Sequence, residues 1–492
     1  MNPLNLNCSS SAQAATPILE ALRIASQQDN AAFYAPGHKK GTGINSLLRD
    51  WWGKAIFQAD LPELPELDNL FAPQGVIEQA QNLAAECFGA EQTWFLVNGS
   101  TCGIMAAILA VCGEADKIIL PRNIHQSAIA GLILAGAIPL LIDPEYDPIA
   151  DMIYSITPTT LENTLQQHPD TKAVMILHPS YQGICGNLEA IAEITHRYDL
   201  PLIVDEAHGA HFAFHPDLPS SALSKGADLT IQSTHKVLGA MTQASMLHLQ
   251  GNRIAPQKIS QALQLVESTS PSYLLLASLD AARQQMALQG KQLMTQTLQL
   301  AAMARTKLAA IPYISVLEFE PKPGFSDLDL TRLTINLAQL GITGYEADAI
   351  LHEQLGVTCE LPSLNHLTFI ISLGNTEADI ERLIQGCTTL AQSGSSSHSF
   401  SSPWSLSLPI SHPCLSPRQA FFAAKESIPL TESGDRLCGE LICPYPPGIP
   451  ILMPGEMITT KAINYLQQVL NSGGVITGCS DPTLQNILVI SD

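Results

Sequence analysis

The sequence predicts an α/β protein with a mostly parallel sheet in its large domain, followed by a small α+β domain and a compact C-terminal tail domain. Three observations predict it. Short apolar strand-like runs alternate with helical patterns over roughly two hundred residues, and such alternation makes parallel βαβ units. A long helical pattern, from about residue 275 to about residue 308, then leaves that region. Polar side chains of unlike chemistry also recur where the strands end, the edge at which open α/β sheets bind ligands.

Residues 16–28 have helical spacing, with Thr16 as N-cap and Pro17 in the first turn. A turn-rich basic segment, FYAPGHKKG, follows. In DLPELPELDNL two prolines forbid a regular helix, so Asp60, Glu63, Glu66 and Asp68 fall on an irregular loop. Four acids so close are either a solvated acidic surface or a site for a cation. Residues 74–88 read as an amphipathic helix and 93–97 as a strand. The turn Asn98-Gly99-Ser100-Thr101-Cys102-Gly103 then opens an apolar helix over 104–111. Strand, glycine turn, hydroxyls and helix N-terminus form an anion cradle, because the first N–H groups of a helix lack intrahelical acceptors. The lysine of a Walker motif is absent, which argues against a nucleotide triphosphatase. A strand at 117–120 leads to Arg122-Asn123-Ile124-His125-Gln126-Ser127, a helix to residue 135 and a strand through 142. Taken alone, His125 reads as a cap or a core-satisfied histidine. Helix 160–167, strand 173–177, the loop His178-Pro179-Ser180-Tyr181-Gln182-Gly183 and helix 188–198 continue the alternation.

Residues 201–246 hold the densest chemistry. Leu202-Ile203-Val204 is a short buried strand that delivers Asp205 and, three residues on, His208 into a glycine-containing loop. A second strand, 228–232, ends in Ser233-Thr234-His235-Lys236, before a helix-like stretch over 237–246. An acid, histidines, hydroxyls and a lysine at one sheet edge suit a cofactor with a carbonyl, a ring nitrogen and a phosphate. Pyridoxal phosphate carries all three.

A strand at 246–249 and the segment Glu267-Ser268-Thr269-Ser270-Pro271-Ser272-Tyr273 precede the long helix. Strands at 314–319, 333–337 and 368–373, with helices at 345–355 and 377–391, make the small domain. Serine and proline crowd residues 393–416, which read as a linker. The expected division is 1–72 as an N-terminal segment, 73–290 as the large domain, 291–392 as the small domain, and 417–492 as the tail domain.

Composition excludes several classes. At 492 residues, 46% apolar and 14% charged, with mean hydropathy +0.14, the chain is well buried and globular. A formal net charge of −21 and the lack of any basic run argue against nucleic acid and favour a small cationic ligand. The eleven cysteines are scattered without CxxC spacing, which fits reduced thiols and no metal site. The opening residues lack the basic and apolar parts of a signal peptide, and the longest apolar stretch, 128–142, contains Pro139 and is too short for a bilayer. A cytoplasmic protein with no membrane partner is expected.

The segments FYAPGHKKGTG, LVNGSTCGI, RNIHQS, DEAHGAH, STHK, ESTSPSYLLLASLDAAR and PYPPGIPILMPGE occur in this order. Together they resemble the ornithine/lysine/arginine decarboxylase family, of the aspartate-aminotransferase-like fold (type I of the pyridoxal-phosphate enzymes). The resemblance covers nearly the whole chain except the serine-rich stretch, in a compact form without the wing domain of the large inducible members. It implies decarboxylation of arginine, lysine or ornithine to agmatine or a diamine, in polyamine metabolism, with pyridoxal 5'-phosphate as cofactor. By that resemblance Lys236 is the lysine bonded to the cofactor, Asp205 pairs with the ring nitrogen, and His125 stacks on the ring. Ser100, Thr101, Ser233 and His235 hold the phosphate, and His208 lies near the cofactor oxygen or the substrate carboxylate. Residues 268–270, Thr269 among them, resemble a segment that reaches the phosphate of a partner subunit, which implies a homodimer or higher homo-oligomer. Asp68 and Glu456 are the candidates for the distal cation of the substrate. The chain departs from the family pattern at His178-Pro179-Ser180-Tyr181 and at Asp435-Arg436-Leu437, away from the cofactor set. Two other readings stay open: an aminotransferase, for which Arg332 and Arg382 are the arginines able to clamp a carboxylate, and a non-catalytic cofactor-binding regulator.

Overall fold

A computed structural model describes residues 10–393, 414–445 and 448–491. Most of the expected serine-rich linker, 394–413, lies outside the described residues. The main sheet has seven strands: β1 (Gln92–Leu96), β2 (Lys117–Pro121), β3 (Ile138–Ile142), β4 (Thr171–Leu177), β5 (Leu202–Asp205), β6 (Leu229–Gln232) and β7 (Ser245–Leu249). Their order across the sheet is β1-β7-β6-β5-β4-β2-β3. Strand β2 runs parallel to β3 and β4, whereas β7 is antiparallel to β1 and β6. Every residue of β5, β6 and β7 is buried. Leu202-Ile203-Val204 of β5 is accordingly an apolar run, as expected when both faces of a strand are covered, whereas β6 and β7 also bury Thr230, Gln232, Ser245 and His248.

By contacts the chain forms two compact units. The first comprises the described residues up to Ala110, Asp205–Pro216 and Ser220–Met294. In it, α1 (Pro17–Gln27), α2 (Val76–Phe88) and α3 (Gly99–Val111) precede the first part of α5 (Tyr273–Ala309). Helix α3 is apolar nearly all round, as a helix buried on most sides must be. Gly103 lets it lie close to the sheet, since a Cβ there would come within 2.7 Å of Leu96 and 2.9 Å of Ile231. Asp280 and Arg283 of α5 are fully buried. Asp280 Oδ2 accepts from the Ile18 amide at 3.0 Å and caps the start of α1. Arg283 donates to the carbonyls of Gln13 and Ala15.

The second unit comprises Val111–Val204, Asp217–Pro219 and the described residues from Thr295 onward. It holds α4 (Gln126–Ala135) and an antiparallel sheet of Ser315–Val316, Arg332–Asn336, His366–Ile370 and Leu361–Pro362. Helices Gly344–Leu355 and Glu377–Ser393 cover that sheet with Leu333, Ile335, Leu351, Leu367 and Leu383 in the core. In the tail Lys425–Pro429 pairs with Asn486–Ile490, and Cys443–Tyr445 pairs with Val475–Thr477. Ile442, Leu452, Leu466 and Val489 are buried between these ladders and helix Thr460–Asn471.

Three local expectations change. Helix α3 begins at Gly99 and not after Gly103, so Ser100 and Thr101 lie in its first turn. The helix-like stretch 237–246 is not helical: the helix ends at Val237 and Gln243 has φ +85. Its periodicity loses to the need to re-enter the sheet at Ser245, and the Ala244 carbonyl accepts from the His235 amide at 3.2 Å. The strand expected over 314–319 shortens to Ser315–Val316, while Arg305 donates to the Leu317 carbonyl. Among the described residues no helix is long and apolar enough to cross a membrane, and no group of three or more His, Cys, Asp or Glu side chains is placed to hold a metal.

Candidate active site

Within the first unit, the end of β5 and the turn after β6 bring three predicted residues together. Lys236 stands in the single helical turn Thr234–Val237, with its Nζ 3.0 Å from His208 Nε2. Two protonated nitrogens cannot share that distance without repulsion, so one proton lies between them and one partner supplies the lone pair. Asp205 ends β5 at 3% exposure, and its Oδ1 accepts from the Ala207 amide at 3.1 Å. Burial pushes its carboxyl above the usual carboxylate range, opposed by the charge of Lys236 and by the Ala207 N–H.

The anion cradle lies in the same unit. Ser233 Oγ is 2.7 Å from Ser100 Oγ, which joins the loop after β6 to the first turn of α3. Gly99, at φ +76, opens the helix and sets Ser100 and Thr101 in its first turn, where amides lack intrahelical acceptors. His235 is committed through one nitrogen: Nδ1 donates to the Ala244 carbonyl at 2.9 Å. Burial, and to a smaller degree Lys236, keeps this imidazole below its ordinary pKa against the pull of Ala244, so its other nitrogen must gain a proton before it can donate to an anion. Ser268, Thr269 and Ser270 are exposed, and the Ser268 amide reaches Asn98 Oδ1 at 3.4 Å. Glu267, just before them, is buried and its Oε1 accepts from the Val97 amide at 2.6 Å. The sequence reading passed over it because nothing in its spacing distinguishes it from a surface acid.

In the second unit His125 caps α4. Its Nδ1 accepts from the Ser127 amide at 3.2 Å and lies 2.8 Å from Ser127 Oγ, as the reading of a lone histidine at a helix start had it. The tail supplies its neighbour. A Cβ on Gly448 (φ +84) would lie 3.2 Å from His125 Nε2, and the Gln126 amide donates to the Gly448 carbonyl at 3.1 Å. Arg122 stands in the same loop. It is buried and donates to the carbonyls of Pro450 at 2.7 Å and Ile451 at 3.0 Å, and to Glu456 Oε2 at 3.0 Å.

Both expected cation ligands are engaged elsewhere. Asp68 Oδ2 accepts from the amides of Gly75 at 2.7 Å and Ile77 at 3.1 Å, and Oδ1 from Asn69 at 2.8 Å and Gln74 at 3.0 Å. It caps the N-terminus of α2. Partial burial opposes the charge, but the N–H groups prevail and hold the carboxyl below its ordinary pKa. Glu456 is fully buried, with Oε2 on Arg122 and on the Met453 amide at 2.9 Å. Burial pushes it up to about 7 in spite of Arg122. Glu456 is closed off from solvent, whereas Asp68 is half-buried with both oxygens on amides at the start of α2. Arg332 is buried beside Asp329 at 3.7 Å, and Arg382 is exposed.

The major-domain family of Orn/Lys/Arg decarboxylases matches residues 16–321, and the C-terminal domain of the same family matches residues 406–478. The chain is 39% identical to an arginine decarboxylase of Bacillus subtilis over 97% of its length and 98% of that protein. It is equally similar, at 39% over 98% of its length and 99% of the relative, to an arginine decarboxylase of Halalkalibacterium halodurans. Among solved structures, the lysine decarboxylase of Francisella novicida superposes with a TM-score of 0.84 at 23% identity, covering 98% of this chain and 82% of that one. That likeness, with the mostly parallel sheet and the C-terminal domain, fixes the fold as the one expected from the sequence. With its major and C-terminal domains matched in order and relatives alike from end to end, the chain belongs to the Orn/Lys/Arg decarboxylase family.

Proposed function

We propose that this chain is a pyridoxal-phosphate-dependent decarboxylase of a basic amino acid, and that arginine is its substrate in preference to lysine or ornithine. The observation that carries the reading is Lys236 Nζ at 3.0 Å from His208 Nε2, beside the buried carboxylate of Asp205, in a chain of this family. The residues fit the cofactor. A lysine suits its carbonyl, a buried acid its ring nitrogen, and two hydroxyls at the open start of a 13-residue helix its phosphate. When bound, pyridoxal phosphate supplies a protonated ring that takes up the electron pair left as carbon dioxide departs.

The chain's own groups do the rest. Asp205, dry and anionic, holds the ring N–H and keeps it protonated. Ser100, Thr101 and Ser233 hold the phosphate, joined by His235 once its Nε2 takes a proton. His208 and Lys236 share a proton at 3.0 Å, so either can deliver one to the substrate carbon after the carboxylate leaves. His125 is assigned to the ring face by the family resemblance. The exposure of Thr269 is what a segment serving a partner subunit requires, and we place it there in a homodimer. The net charge of −21 favours approach of a cationic substrate. The preference for arginine is supported by the 39% identity to the arginine decarboxylases of Bacillus subtilis and Halalkalibacterium halodurans, and a cytoplasmic location by the scattered cysteines.

The test offers the purified protein, loaded with pyridoxal phosphate, equal amounts of arginine, lysine and ornithine. Agmatine and carbon dioxide are expected, without a keto-acid acceptor. A diamine in place of agmatine would overturn the substrate, and no amine from any of the three would overturn the reaction. Activity of the Lys236→Ala variant should fall to background.

A further inference from the structure

Behind Asp205, the first unit encloses a row of polar side chains that the proposed reaction does not use. Glu206 is fully buried, with the Ala222 amide 2.7 Å from Oε1 and Gln232 Nε2 2.7 Å from Oε2. Gln232 Oε1 lies 3.1 Å from His248 Nε2, and His248 Nδ1 lies 2.8 Å from Thr93 Oγ1. The row runs from the end of β5 through β6 and β7 to β1, and none of its members is more than 2% exposed. Phe88 stacks on the His248 ring at 4.9 Å and seals it. Burial pushes the Glu206 carboxyl up to about 8 against the Gln232 and Ala222 donors, and it pushes His248 down to about 3, so the imidazole stays neutral.

The row admits two directions of hydrogen bonding, because the oxygen and nitrogen of the Gln232 amide can exchange places. With an ionised Glu206, Gln232 donates to it, His248 Nε2–H donates to Gln232, and Thr93 donates to Nδ1. With a protonated Glu206 every bond reverses: Glu206 O–H donates to Gln232 Oε1, Gln232 N–H to His248 Nε2, and His248 Nδ1–H to Thr93 Oγ1. The surroundings choose between them. Asp205 is the preceding residue and is itself buried, His208 follows two residues on, and His248 is reached through Gln232. Lys236, the nearby cation, acts on Asp205, and the partners of Glu206 are neutral amides. Of two adjacent buried carboxylates, the one that meets only neutral donors is the costlier to ionise.

We propose that Glu206 is a positioning residue held as a neutral carboxylic acid, which leaves Asp205 the single anion of the strand end and fixes the turn that presents Asp205 and His208. The turn is tied on both sides. The Glu206 amide donates to the Ile231 carbonyl at 2.9 Å, and the Gly209 amide to the Glu206 carbonyl at 2.9 Å. Gly209 can approach only because it has no Cβ, which would sit 2.7 Å from Glu206 Cγ. The inference rests on the proposed pairing of Asp205 with the cofactor ring for its effect on catalysis; the protonation of Glu206 does not.

Infrared spectra of the holoenzyme at pH 7 decide the proton. A carbonyl band of a buried protonated carboxyl should be present in the wild type and lost in Glu206→Gln, and an unchanged band would overturn the proposal. Kinetics decide the positioning role. Glu206→Ala should release pyridoxal phosphate at least tenfold faster and lose activity in kcat more than in KM, and Glu206→Gln, a neutral group of the same shape, should restore most of both. Equal failure of Gln and Ala would show that a carboxylate is needed and overturn the neutral state. If Glu206→Ala does not fold, the infrared comparison of wild type with Glu206→Gln still decides. Absence of decarboxylation in a wild type whose band is lost in Glu206→Gln would remove the proposed reaction and leave the protonated Glu206 standing.

Discussion

Replacing Asp68 separates a helix cap from a substrate ligand, because the two roles order the same pair of variants differently. Asp68 has φ +72 and its carboxylate faces the amides of Asn69, Gln74, Gly75 and Ile77. In Asp68→Ala the cap is lost at about 1–2 kcal/mol and the charge at the helix start at about 0.3–1 kcal/mol. The sum is roughly 1–3 kcal/mol of local stability. Asp68→Asn keeps one acceptor oxygen, so it should cost only about 0.5–1 kcal/mol. Hydrogen exchange of the peptide spanning residues 69–88 reads the difference: at about 1.4 kcal/mol per tenfold, the alanine variant should exchange faster by roughly tenfold or more, and the asparagine variant by about fivefold or less. The pH dependence has a defined sign. The folded pKa lies below the unfolded one, so the stabilisation is present above the unfolded carboxylate pKa and is lost as pH falls through the folded value. In both variants KM should change no more than kcat. A large rise in KM alone, equal in Asn and Ala and without faster exchange, would refute the cap as the role of Asp68.

Glu456→Gln leaves Arg122 buried without its counter-ion and should destabilise the second unit by about 3 kcal/mol, the lower end for breaking a buried pair, since the carboxylate is itself costly to ionise. Chemical denaturation followed through a tail probe checks the loss, and a KM-specific effect with intact stability would return Glu456 to the substrate. Gly448→Ala places a methyl 3.2 Å from His125 Nε2 at a backbone φ of +84. Pyridoxal phosphate affinity should fall severalfold with the fold retained, and unchanged affinity in a cofactor titration would detach His125 from the cofactor.

Much of the fold was legible because the physics is local. Leu202-Ile203-Val204 is a short apolar run that a covered sheet accommodates, Leu229–Gln232 keeps Leu229 and Ile231 at strand spacing, and the 37-residue helix Tyr273–Ala309 declares itself by length. The chemistry of the strand ends was legible for the same reason: Asp205, His208 and Lys236 follow their strands directly, so calling the strands places the side chains near one edge. The stretch 237–246 misled because helical spacing says nothing of Gln243 at positive φ or of a chain due to re-enter the sheet two residues later. The contacts of Asp68 and Glu456 were not legible because a carboxylate in a loop looks the same whether it faces solvent, a helix start or a buried arginine. Arg122, Glu206 and His248 were invisible as a group, since their partners lie tens to hundreds of residues away.

The grip of Arg122 on the tail has a consequence for how the chain matures on the ribosome. Its acceptors Pro450, Ile451 and Glu456 lie 328, 329 and 334 residues further along the chain. At about 5–20 residues per second of synthesis, a newly made Arg122 waits roughly 20–70 s before those partners exist. Throughout that interval its guanidinium remains without the three acceptors it holds in the folded chain, and the neighbouring loop with His125 has no Gly448 behind it. Completion of this loop is therefore a late event, timed by the synthesis of Pro450 to Glu456.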